Sequence, residues 1–392
     1  MSEHRQIYLD NSATTKICKR ALEKYVEVSE ETFGNPSSLH GYGFSAEKVL
    51  KDVRASVLSS IGERDATVVF TASGSEANNL AIIGRALAKE RYKKGAKIIT
   101  TSGEHASVRE PLRRLSEMGF CIAEIPTLNG KVDLEALRRE LTPDVVLVTV
   151  MMVNNETGAL YDVYSISKLV HESCPEALIH VDATQSYMKV RFTKRQLGAD
   201  MITLSSHKIE GPKGVGALVI DNKIMKSRGL SPIILGGGQE GGLRSGTENV
   251  PAVAAFGEAI TYCTEGLTER IAKMNSLREA LISEISSDDI LKSISMTLPE
   301  SHAPHILNIT LPSIKSETAL HYLSSLGIYV SSGSACSSNS KHSSSALVAY
   351  GRSIDEADSS IRISFSPENT IDDVRALCDG LRSALTKLAR KR

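Results

Sequence analysis

An amine that is to act as a nucleophile must sit where it can shed its proton, and Lys208 stands in such a place. It lies in the run Leu204-Ser205-Ser206-His207-Lys208-Ile209-Glu210-Gly211-Pro212-Lys213-Gly214, beside hydroxyls and an imidazole. The preceding Asp200-Met201-Ile202-Thr203-Leu204 reads as a buried strand. Gly211, Pro212, Gly214 and Gly216 then interrupt regularity before a second strand-like run, Val215 to Ile220. The lysine is therefore expected on a strand-end loop, where partial desolvation suits an amine to attack an aldehyde. Most lysines are simply solvated turn residues, so the company this one keeps must decide.

The elements that position it alternate. Ile7-Tyr8-Leu9 reads as a short strand, and the turn residues Asp10 to Thr15 lead into a helix from about Lys16. A second helix fits Phe44 to Ile61, with Ala46, Val49, Leu50, Val53 and Val57 on one face. Then come strand Val68-Val69-Phe70, helix Ala77 to Arg91 and strand Ile98-Ile99-Thr100, followed by strands at Cys121–Ile125, Val145–Val150, Leu178–Val181 and Met201–Leu204. Helices near Val108–Glu117, Leu134–Glu140 and Ile166–Glu172 separate them. This pattern predicts an α/β fold with a mostly parallel sheet covered by helices.

Sites in such sheets gather at the carboxyl ends of the strands. There the chain places Ser73-Gly74-Ser75, small residues at a helix start that suit a phosphate; Glu104-His105; Asn154-Asn155-Glu156; Asp182-Ala183-Thr184-Gln185; and Ser205 to Lys208. Each alone is an ordinary cap or turn. Together they match one cofactor, pyridoxal phosphate, carried by Lys208 as a Schiff base. Asp182 would keep its ring nitrogen protonated. His105 can stack on the ring and move protons. Asn155 and Gln185 can bond the ring hydroxyl, and Gly74, Ser75, Ser205 and His207 can serve the phosphate.

These residues carry a resemblance. Tyr8 to Thr15, Asn35-Pro36-Ser37-Ser38, Glu104-His105, Asn154-Asn155-Glu156, Asp182 to Ser186, His207 to Gly214, Arg244-Ser245-Gly246-Thr247 and Ser332-Gly333-Ser334-Ala335-Cys336 occur in the order of the NifS/IscS type of cysteine desulfurase, over nearly the whole chain. The resemblance implies pyridoxal phosphate fold type I and a homodimer in which Thr247 binds the neighbour's cofactor phosphate. It assigns Asn35, Asn155 and Arg362 to the substrate L-cysteine, and Lys208, His105 and Cys336 to catalysis. It implies release of alanine, a persulfide on Cys336, and a sulfur-acceptor protein such as an iron–sulfur scaffold or a thio-modification enzyme. Selenocysteine lyase or another enzyme of the class V fold would share the cofactor residues without needing a mobile cysteine; a non-catalytic sulfur-carrier docking protein would need no lysine linkage.

Nine of the fifteen residues from Ser331 to Ser345 are serine, a flexible composition. Cys336 lies six residues past Val330, an extended reach of about 20 Å, and its thiol needs a base, for which His105 is the candidate. Arg362, in the strand-like Ser360-Ile361-Arg362-Ile363-Ser364, offers a fork for an amino-acid carboxylate. The chain departs from the common family pattern at Ser75, where threonine is frequent, at Glu210, where a bulky residue is common, at Met151-Met152, and in lacking proline after Cys336.

With 392 residues, 41% hydrophobic and 23% charged, and Lys+Arg equal to Asp+Glu at 46 each, the chain suits two domains and has no global field for nucleic acid or an acidic membrane. The longest apolar run, Val145 to Val153, is far short of a membrane span, and Met1 to Gln6 has no signal-peptide character, so a cytoplasmic protein is expected. Cys18, Cys121, Cys174, Cys263, Cys336 and Cys378 are scattered without a C-x-x-C, which predicts neither a metal site nor a disulfide framework. Gly236 to Thr247 reads as a glycine-rich loop and Val250 to Ser286 as one long helical pattern. The expected division is a large cofactor domain, 15–260, and a small α+β domain, 1–14 with 261–392. The latter holds strand His305–Leu311, helix Ser316–Leu326, strands Ile328–Val330 and Ile361–Phe365, helix Ile371–Leu388 and the cysteine loop, 331–345.

Overall fold

Runs of β-branched residues without a polar alternation form strands that must be covered on both faces, and seven such strands make the large sheet. The computed structural model describes residues 6–88, 96–332 and 344–388. The strand order is Ala66–Thr71, Gly216–Asp221, Met201–Ser205, Leu178–Asp182, Val145–Met151, Lys97–Thr101, Cys121–Ile125. Gly216–Asp221 runs against both neighbours, and the other pairings are parallel. This is the mostly parallel α/β sheet that the alternation predicts. All seven residues of Val145–Met151 are buried, as a central parallel strand requires, whereas Cys121–Ile125 on the edge is partly exposed.

A four-stranded antiparallel sheet, in the order Ser331–Ser332, Ser360–Ser364, Ile306–Thr310, Ser295–Thr297, forms around a separate apolar cluster. Ile7 and Leu9 join that cluster, because Ile7–Tyr8 pairs with Ile328–Tyr329. Among the described residues no helix is long and apolar enough to cross a membrane.

Four helix expectations change, the simplest being Phe44–Ile61, which spans Gly41–Ser60 behind the His40 cap. The Val250–Ser286 pattern is two helices, Val250–Glu265 and Leu267–Ser287, broken where Gly266 leaves helical angles. The first packs its small residues into the large core, so closely that a Cβ on Gly257 would lie 2.7 Å from Val53 Cγ2; the second turns Met274, Leu277, Leu281 and Ile285 into the other core. The first helix begins at Lys19, since Thr15 and Cys18 spend their amides on His207 and Glu210 carbonyls at 2.9 and 2.8 Å. The Ala77–Arg91 helix instead starts at Gly74, where the Ser73 hydroxyl caps it by accepting from the Glu76 amide at 3.1 Å; it ends at Ala86, and 89–95 lie outside the described residues. The short strands Ser295–Thr297 and Ser331–Ser332 had no pattern to announce them. The glycine-rich stretch also holds a short 3-10 turn, Glu240–Gly242, pinned by Glu240 accepting from Arg54 at 2.9 Å and from the Phe70 amide at 3.0 Å.

Candidate active site

Five strands of the large sheet end at one cavity of about 260 Å³, near the lower end of small-molecule clefts at roughly 300–1,000 Å³. Gly74 and Ser75 line it from the start of their helix, His105 follows Lys97–Thr101, and Asn155 follows Val145–Met151. Asp182 and Gln185 come from the end of Leu178–Asp182, and Ser205, His207 and Lys208 from the end of Met201–Ser205. Arg362 reaches the cavity from the small sheet. Two expected residues lie elsewhere in this chain: Asn35 is exposed and bonds the Ser37 amide at 2.9 Å, and Thr247 is exposed outside the cavity. Cys336 lies outside the described residues.

Lys208 is held by Ser12 and Ala13, residues of the Asp10–Thr15 stretch to which the sequence assigned no contact with the lysine. Its Nζ donates to the Ser12 and Ala13 carbonyls at 2.6 and 2.8 Å, and Gln185 Nε2 donates to the same Ser12 carbonyl at 2.9 Å. The Asp182 carboxylate accepts from the Thr184 amide at 2.9 Å and from Asn78 Nδ2 at 2.8 Å, so both oxygens are oriented before any guest arrives. Asn78 sits one helical turn past Gly74, a spacing that marks the same face, and could have been found by it.

His105 caps the helix Ala106–Glu117, its Nδ1 accepting from the Ser107 amide at 3.1 Å. Burial holds its pKa below the usual range, aided by Lys208, Arg109 and Arg362 and opposed by Asp182. Burial, with Lys208, Lys213 and Lys189, lowers His207 to about 4; its Nδ1 lies 3.1 Å from Thr14 Oγ1. Both rings are therefore neutral at pH 7. Glu104 is buried between strand ends, its Oε1 accepting from Thr101 Oγ1 at 2.6 Å and the Met151 amide at 2.9 Å, and burial pushes it up to about 8. That makes it a neutral tie between the strands that present His105 and Asn155, not an anion facing the cavity.

Arg362 donates to the Asn155 carbonyl at 2.8 Å and to Asp10 Oδ1 at 2.7 Å, which sets the plane of its guanidinium. Its buried Nε has no partner among the described residues. Arg362 pairs in register with Ser331, two residues before the segment 333–343. Beyond that segment Ser344 bonds Glu156 and Ser345 bonds Arg109, so both flanks of the segment are fastened beside the cavity.

The cavity has the polarity a pyridoxal phosphate would need. Ser205 Oγ and Gln185 Oε1 are buried without a partner among the described residues, and both residues line it, which calls for a polar guest. A Cβ on Gly74 would stand 3.1 Å from Thr184 Oγ1 and 3.2 Å from Ser205 Cβ, so glycine lets the helix start close against two strand ends. The donor set offers a helix N-terminus for a phosphate, a carboxylate for a pyridinium and an amine for an aldehyde.

Residues 7–377 match the protein family described as Aminotransferase class-V. The chain is 37% identical over 385 residues to the cysteine desulfurase IscS 1 of Archaeoglobus fulgidus, covering 97% of each chain. It is 35% identical to the putative cysteine desulfurase IscS 1 of Bacillus subtilis, over 98% of this chain and 99% of that one. Among solved structures, a NifS-like protein superposes with a TM-score of 0.89 at 33% identity, over 98% of this chain and all, 100%, of the other. SspA in complex with cysteine gives 0.79 at 30% identity, over 93% and 100%.

Proposed function

The chain belongs to the class-V aminotransferase family, and we propose from its cavity that it is a pyridoxal phosphate-dependent cysteine desulfurase, taking sulfur from L-cysteine and releasing L-alanine. The observation that carries this is the convergence of Lys208, Asp182, His105 and the Gly74 helix start on one cavity, which Arg362 also lines from the second sheet. In this reading residues 15–260 hold the cofactor, and 1–14 with 261–392 form the domain that brings Arg362 and Cys336 to it.

Bound there, pyridoxal phosphate supplies an aldehyde for amines and an electron sink for the substrate's α-carbon. Lys208 would hold it through its Nζ, and the same amine would move the substrate's α-proton. Asp182, fixed by Asn78 and Thr184, would pair with the ring nitrogen; Gly74, Ser75, Ser205 and His207 would hold the phosphate; Gln185 and Asn155 would bond the ring's oxygen. Arg362 clamps the substrate carboxylate, with Asn155 beside it. The Cys336 thiolate attacks the substrate's sulfur: a sulfur–sulfur bond forms as the carbon–sulfur bond breaks, and the carbon fragment is protonated and leaves as alanine. Cys336 lies only four residues past Ser332, a reach of about 14 Å at roughly 3.4 Å per residue. The buried Cys263 and Cys378 suit the role poorly, since burial pushes both thiols up to about 12. An acceptor protein of iron–sulfur assembly or thio-modification then takes the sulfur.

The enzyme is proposed to be a homodimer that shares its sites, with Thr247 serving the neighbour's phosphate and Asn35 the neighbour's substrate. Both residues stand in stretches with large exposed apolar side chains, Leu39 at 91% and Leu235 at 81%, which a second copy would cover.

The test is a pair of variants. Lys208→Ala abolishes sulfide and alanine release. Cys336→Ser still takes up the cofactor and changes absorption with cysteine, yet releases almost no product, and mass spectrometry of the wild type finds the extra sulfur on Cys336. Undiminished alanine release by Cys336→Ser, or the sulfur on the exposed Cys121, would refute the reading.

A further inference from the structure

We propose that Asn78 and Ser107 are positioning residues that lock His105 in the neutral tautomer with its proton on Nε2, making it a hydrogen-bond donor to the cavity and not a base. The chain of contacts is short and directional. Asn78 is 1% exposed, and its Nδ2 stands 2.8 Å from Asp182 Oδ2 and 2.9 Å from Ser107 Oγ. Ser107 Oγ stands 2.8 Å from His105 Nδ1.

The direction of each proton follows from what the groups are able to do. A carboxylate oxygen only accepts, so the end of the Asn78 amide turned to Asp182 must be its NH₂. One hydrogen goes to Asp182 and the second to Ser107, whose oxygen thereby accepts. The serine hydroxyl then has its own hydrogen to give, and His105 Nδ1 receives it. The Ser107 backbone N–H points at the same nitrogen from 3.1 Å. Two donors on one lone pair leave no room for a hydrogen on Nδ1, so the neutral ring carries it on Nε2, the nitrogen left for the cavity that His105 lines.

Charging the ring would place an Nδ1 hydrogen against the Ser107 amide and turn the serine's own hydrogen away, so that Ser107 Oγ would accept from both Asn78 and His105 and its hydrogen would lose its acceptor. The helix start that His105 caps also disfavours a cation, as does its burial. Of the charged groups facing it, Lys208, Arg109 and Arg362 oppose the cation and Asp182 favours it. A neutral imidazole in this state stabilises developing negative charge by donation and takes up no proton near pH 7. The thiol of Cys336 must then lose its proton to another group, for which Lys208, lining the same cavity as His105, offers an amine. This inference deepens the desulfurase reading, and it replaces the expectation that His105 is the thiol's base.

The experiment is long-range ¹H–¹⁵N correlation on protein labelled with ¹⁵N-histidine, with and without pyridoxal phosphate, His105 being assigned by its absence in His105→Gln. The expected wild-type spectrum at pH 7 has a protonated Nε2 and a bare Nδ1. Ser107→Ala removes one donor to the bare nitrogen and raises the midpoint for charging the ring by about half a unit to one unit. Asn78→Ala shifts it the same way, the double variant adds little because both act through one chain, and Ser107→Thr restores the wild-type midpoint. A proton on Nδ1, a charged ring at pH 7, or a midpoint unmoved by Ser107→Ala overturns the proposal. The tautomer is read without turnover, so a protein with the expected spectrum that releases no alanine from cysteine would refute the desulfurase reading alone.

Discussion

Lys189 is costly to this fold, and replacing it should make the protein more stable. Its ammonium is buried at 6% exposure, with no hydrogen-bond partner for Nζ among the described residues. Burial first, then the nearby Lys208, brings its pKa from 10.5 to about 7; Cys263 and Glu210 pull the other way and Arg362 adds to the fall. At about 1.36 kcal/mol per pH unit, that gap is worth about 4 kcal/mol against the folded state at pH 7. The cavity beside it, about 20 Å³ and lined also by Lys208, Glu210 and Arg270, has room for one water. Solvation by such a water offsets part of the cost, and a gain of about 2 kcal/mol is expected for Lys189→Met, which keeps the length and is apolar. For 392 residues at roughly 2.1 cal/mol/K each, this raises Tm by about 2–3 °C. The sign with pH is distinctive. Between about 7 and 10.5 the unfolded chain holds the proton that the folded chain has shed, so the wild type gains stability as pH rises and the variant does not. Thermal and urea melts at pH 6.5, 8 and 9.5, at one protein concentration, should show the difference between the two proteins shrinking as pH rises. A destabilised variant at pH 7, or parallel pH curves, would refute the reasoning.

Arg362→Lys keeps the charge but loses the fork, and should lower kcat/KM for cysteine by at least about tenfold, with Arg362→Ala near a hundredfold; steady-state kinetics that leave kcat/KM unchanged would remove Arg362 from the substrate site. Mixing inactive Lys208→Ala with Thr247→Ala at limiting cofactor should give some dimers with one site free of both lesions. Activity above that of either parent checks the shared site, and a strictly monomeric active enzyme in light scattering would defeat it.

Much of the site could be read from the chain because its chemistry sits where local patterns change. Polar clusters just past apolar runs marked the ends of five strands, and five strand ends in one parallel sheet come together by geometry. Gly74, His105, Asn155, Asp182, Gln185 and Lys208 could therefore each be placed at a strand end, and it was the set together that pointed to a cofactor. Hydrophobic period and turn residues report only on neighbours in sequence, and they were silent on what lies far along the chain. Ser12 and Ala13 hold Lys208 across 196 and 195 residues, and Asp10 holds Arg362 across 352. The Asn78–Ser107–His105 chain needs two helices laid side by side before its protons acquire a direction. The reversed strand Gly216–Asp221 has the same apolar pattern as its neighbours, since burial on both faces is indifferent to strand direction. The break at Gly266 depends on which of two cores claims each half of a helical pattern. Local residue types decided which chemistry this chain carries; tertiary contacts decided which groups hold it in place and where their protons point.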